Sequence, residues 1–115
     1  MSIETTIYGA LSGFAGGRVF PDVAPAGTAR PYITWQQFGG KVINPIANES
    51  PGKRNANIQI NVWADTRLGA VNLALDVEDA IRTIGGRPLA ASISLYEPDT
   101  KLYGTIQEFS IWGDR

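Results

Sequence analysis

Asn57-Ile58-Gln59-Ile60-Asn61-Val62-Trp63 is the clearest alternation in this 115-residue chain. Ile58, Ile60 and Val62 point one way; Asn57, Gln59, Asn61 and Trp63 point the other. Successive strand side chains lie on opposite faces, so this pattern predicts a strand with one buried face. After Ala64 the period changes. Asp65 or Thr66 supplies an N-cap for a long helix that runs to about Ile84. Ala70, Leu73, Ala74, Val77, Ala80, Ile81 and Ile84 form one broad stripe, the face that should lie on the sheet. Gly85-Gly86 supply the stop. Leu68, Val71 and Leu75 fall on nearly the opposite side of the helix. A helix with two apolar patches has two surfaces to cover. Either the first helix or the N-terminal loop covers the second patch, or the patch is a subunit interface.

Downstream, Leu95-Tyr96 and Leu102-Tyr103 flank Glu97-Pro98-Asp99-Thr100. Proline presets φ for the second position of a turn, and Asp after it can bond its own backbone, so the segment predicts a β-hairpin. Its second strand continues through Phe109-Ser110-Ile111-Trp112. Upstream, Pro31 opens a strand over Tyr32–Phe38, rich in β-branched and aromatic residues, and Gly39-Gly40 break or bulge it. Ser2 can cap a first helix in which Ile3, Ile7, Ala10 and Leu11 recur at helical spacing. Ser12-Gly13 begin its exit and Gly16-Gly17 end any helix, and Val19-Phe20 form a short extended piece before a Pro- and Gly-containing loop. The stretch from Val42 to Arg54, with Pro45, Asn48, Ser50, Pro51 and Gly52, reads as loop. The order is helix, strand pair, helix, strand pair. It predicts an α+β fold: a single layer of mostly antiparallel sheet, about four to five strands with two hairpins, and two helices packed on one face. The length fits one domain over residues 1–115.

Composition removes most chemistry. The chain has no cysteine, hence no disulfide, thiolate nucleophile or thiolate metal site. It has no histidine, the commonest general base at neutral pH and the commonest metal ligand. A net charge of −1 argues against a dedicated nucleic-acid binder and leaves little repulsion between packed copies. There is no membrane-spanning apolar run, and Met1-Ser2-Ile3-Glu4 lacks the basic start of a signal peptide. Gly39-Gly40-Lys41 ends like a phosphate loop, but Val42 stands where the hydroxyl residue belongs. Asp76 and Asp79 share a helix face, yet two carboxylates make a poor cation site, and a solvated face accounts for them. Trp35, Trp63 and Trp112 offer a ligand-stacking platform as an alternative to core or interface roles. No catalytic residues, metal or cofactor are expected.

Taken in order, these segments resemble the small tail-completion proteins of long-tailed bacteriophages, also called tail terminators or tail-to-head joining proteins. The likeness lies in the first helix leading through Gly17-Arg18-Val19-Phe20-Pro21, then Pro31-Tyr32-Ile33-Thr34-Trp35, then Ala56–Ala64 running into the long helix, then Tyr96–Tyr103 leading to Trp112. The resemblance implies a structural virion protein, not an enzyme. It would form a homo-oligomeric ring, commonly a hexamer, on the head-proximal end of the tail. Tail tube protein and a head-completion or neck protein would be its partners, with no membrane and no specific nucleic acid. It would be made in the host cytoplasm of a phage or prophage and not secreted, and the free subunit would be monomeric or oligomeric. Another small head–tail connector or minor tail component, or a non-catalytic binding module using exposed Trp residues, stands as the alternative. Leu68, Val71 and Leu75 are the candidate subunit contacts. Lys41, Lys53 and Arg54 are the candidate positive charges of a loop facing the ring lumen or a neighbour.

Overall fold

A computed structural model describes residues 2–42 and 52–114. Helix α1 spans Ile3–Leu11, with the Ser2 hydroxyl accepting from the Thr5 amide at 3.1 Å. Strand β1 is Val19–Pro21, β2 is Tyr32–Gly39 and β3 is Lys53–Ala64. Helix α2 spans Arg67–Thr83, followed by β4, Arg87–Pro88, β5, Ile93–Glu97, and β6, Leu102–Asp114. Among the described residues these strands form a six-stranded sheet in the order β1-β2-β3-β6-β4, with β5 also paired to β6. All pairings are antiparallel except β1 with β2. The sequence pattern predicts four to five strands; the sixth, β4, is only two residues long and too short to leave a periodicity.

The α2 boundaries follow from its caps. Thr66 Oγ1 accepts from the Gly69 amide at 3.0 Å. At the other end the Gly86 amide bonds the Ile81 carbonyl and the Gly85 amide bonds that of Arg82. Gly85 has φ 86°, the left-handed position that glycine occupies without a Cβ penalty. The hairpin from β5 to β6 turns over Pro98–Lys101, and Glu97 faces Leu102 across it.

Ile58, Ile60 and Val62 are buried, as are Ala70, Ala74, Val77 and Ile81 of α2 and Ile3, Ile7 and Leu11 of α1. All but Ala70 join Ile33, Trp35, Phe109 and Ile111 in one core cluster, so both helices cover one face of the sheet. Hydrophobic burial of this kind is the main favourable term in folding. Two buried amides are also satisfied, one on each face of the sheet. Gln107 Nε2 donates to Glu78 Oε1 at 2.7 Å and to the Ala90 carbonyl at 3.0 Å. Asn55 Nδ2 donates to Ser110 Oγ and the Ile111 carbonyl, while its Oδ1 accepts from the Lys41 amide at 2.9 Å.

The expected loop from 42 to 54 needs one correction, and its residues 43–51 lie outside the described set. Lys53 and Arg54 open β3 instead of closing a loop. The cause is the length of β6: its last residues, Asp114 and Gly113, pair with Lys53 and Arg54 and extend the ladder beyond the alternating stretch.

Candidate assembly surfaces

The helix stripe that faces the sheet leaves the other side of α2 to solvent. Leu68 is 69% exposed and Leu75 54% exposed. Val71, between them, is half-buried. Among the described residues, then, Leu68 and Leu75 are left largely open, while Val71 is partly covered. Exposed aliphatic side chains mark an association surface where they form a contiguous patch.

The positive charges fare differently. Lys53 Nζ pairs with Asp114, and Arg54 Nη2 with Glu4 Oε1 at 2.6 Å. Arg54 also donates to Gln37 Oε1 at 3.1 Å. Both cations are thus matched by carboxylates and add no local excess of positive charge. Lys41 is exposed on its own segment, beside the buried Asn55 that accepts from its amide. The carboxylates register these contacts. Glu4 titrates below its usual range because of a backbone hydrogen bond at the helix start and then the Arg54 guanidinium. Glu78 is lowered by the Gln107 amide and then by Arg82, against the opposing effect of burial. Asp114 is lowered chiefly by its bond to Lys53. All three shifts have structural partners. Burial raises the Tyr32 hydroxyl, helped by the Glu97 carboxylate.

The three tryptophans do not converge. Trp35 pairs with Ile60 and is buried on the helix face. Trp63 pairs with Gly104 on the opposite face, where the missing side chain makes room for its ring. Trp112 pairs with Asn55 on that same face. Residues 55 and 63 are separated by roughly 26 Å of strand. A stacking platform made of all three is excluded. Among the described residues no group of three or more Asp or Glu side chains is placed to hold a metal ion.

Two features escape sequence reasoning. Arg30 clamps the chain by donating to Asp65 Oδ1 at 3.0 Å and to the Thr100 carbonyl at 2.9 Å. Its partners lie far away in sequence and leave no local signal. The other is the apolar strand β5, which the structure leaves at the border of the sheet with Ile93 62% and Tyr96 51% exposed. Its edge position depends on the sheet order and leaves no local signal.

The sequence model of the family described as tail completion protein gp17 matches residues 8–114. No curated protein matches the chain. Among solved structures, a chain from one titled "Virion of native gene transfer agent (GTA) particle" is similar with a TM-score of 0.58. The identity is 15%, over 99% of this chain and 96% of that chain. At that identity the likeness establishes the shared fold.

Proposed function

From the premise that this chain belongs to the tail completion protein gp17 family, and so to the structural proteins of phage tails, we propose that it caps the head-proximal end of the tail as a ring and joins tail to head. The observation that carries this reading is the open face of α2, where Leu68 and Leu75 have no cover in the single subunit. A ring repeats one heterologous contact until it closes, and each subunit then needs one patch and its complement. A hexamer is the proposed closed form. Tail tube protein lies beneath it, and a neck or head-completion protein lies above. The whole chain, residues 1–115, acts as one unit, made in the host cytoplasm and carried into the virion. It performs no catalysis and uses no cofactor, because binding energy alone completes such an assembly.

The test is genetic. A phage or prophage in which the gene for this chain is disrupted should accumulate filled capsids and tails separately, with tails of irregular length by electron microscopy. Normal numbers of joined particles with uniform tails would reject the proposal.

A further inference from the structure

Leu89-Ala90-Ala91-Ser92-Ile93-Ser94-Leu95-Tyr96 carries no charge, no proline and no glycine. Its last part is strand β5, which pairs only with β6 among the described residues. Residues 89–94 are all exposed. Soluble proteins usually guard such an edge with Lys, Pro or a covering segment, because its unpaired amides and carbonyls invite another strand. Here such residues stand only at the ends, Arg87-Pro88 before the stretch and Glu97-Pro98 after it, and between them the edge of β5 carries only apolar and serine side chains. The opposite border of the sheet has a second opening. Strand β1 covers β2 only over Ile33–Trp35, so the outer edge of Gln36–Gly39 has no backbone partner among the described residues. That segment also lacks charge, and Phe38 is 42% exposed.

We propose that the outer edge of β5 receives the free edge of β2, Gln36–Gly39, of a second copy of this chain, so that the sheets of neighbouring subunits run continuously around the ring. The inference rests on the ring reading above and specifies which edges close it. Register supports it. Leu95 faces Gly104 across β6, whereas Gln37 faces Ile58, which faces Phe109. The two open edges are thus offset along β6 by the distance from Gly104 to Phe109, roughly 17 Å at the usual rise per residue. One subunit contributes four strands in width, roughly 19 Å. An offset of that size over that width inclines the strands by about 40°, within the range of about 35–45° at which closed sheets run. The pairing of β2 with β3 is also irregular between Gln37 and Gly39, which leaves Phe38 without a partner on β3. Such bulges bend a strand and re-aim its side chains, as closure requires.

Sedimentation velocity on four proteins tests this: the wild type, Ile93→Lys, Phe38→Lys and an equimolar mixture of the two variants. Each substitution sits on an exposed side chain, so thermal transitions should stay near the wild-type value. The wild type should self-associate. Each variant alone should do so at least tenfold more weakly, because one edge of every contact is spoiled. The mixture should form dimers and nothing larger, since one intact β5 edge meets one intact β2 edge and both outer ends are blocked. Dimers of Phe38→Lys alone would mean that β5 pairs with itself and would overturn the proposal. Both variants associating like the wild type, while Leu75→Asp does not, would overturn it and leave the ring reading standing. A wild type that stays monomeric at millimolar concentration would also overturn it as a self-pairing. Should either variant unfold, amide exchange on the wild type decides. Protection at 36–39 and 93–97 that rises with protein concentration supports the pairing, and unchanged exchange rejects it.

Discussion

Ile60 and Asn55 show how differently single residues announce themselves. Ile60 is buried as the alternation around it demands, because its neighbours in sequence already define the face. Replacing it with Ala removes buried methyl groups and leaves a cavity, so the fold should lose roughly 2–5 kcal/mol in urea unfolding. A loss under about 0.5 kcal/mol is what a surface position gives, and would contradict the packing described. Asn55 and Gln107 are equally buried, yet nothing local marks them. Their amides are satisfied by Ser110, Ile111, Glu78 and Ala90, partners that only the folded sheet brings close. A buried polar group requires such bonds, so these residues are legible only once the topology is known.

Among the elements, α2 was readable in full from its two stripes and its caps, because helix periodicity and capping are local. The beginning of β3 was not. Lys53 and Arg54 follow a Pro-Gly pair, and what draws them into the ladder is the length of a strand some sixty residues later. The exposure of Leu68 and Leu75 was left open by the sequence, since what covers a helix depends on how its neighbours pack. The structure narrows where an interface is best probed. Leu75 is open to solvent, so Leu75→Asp should shift stability by less than about 0.5 kcal/mol. On association its charge would have to be desolvated without a partner, at a cost of several kcal/mol, so assembly should fail. Val71→Asp is less clean, because its half-buried position should cost the isolated fold as well. Thermal melting and sedimentation of both variants check this. A Leu75→Asp protein that assembles normally would remove α2 from the interface.

At the scale of the molecule, the subunit measures 52 × 25 × 24 Å. The long dimension follows from β3 and β6, twelve and thirteen residues long and paired through twelve consecutive positions. Such a slab has one face under helices, an apolar patch on its outer helix and uncharged openings at both borders of its sheet. In the proposed ring each of these is available to a neighbour, and with a net charge of −1 little repulsion opposes bringing copies together. The central claim is that copies of this chain close a ring at the head-proximal end of the tail. Cryo-electron microscopy of tails assembled in the presence of the chain tests it most directly. The expected result is a closed ring, six copies in the proposed form, seated on the last tube subunits at the end that meets the head. Density for the chain elsewhere along the particle, or as isolated copies without mutual contacts, would contradict it.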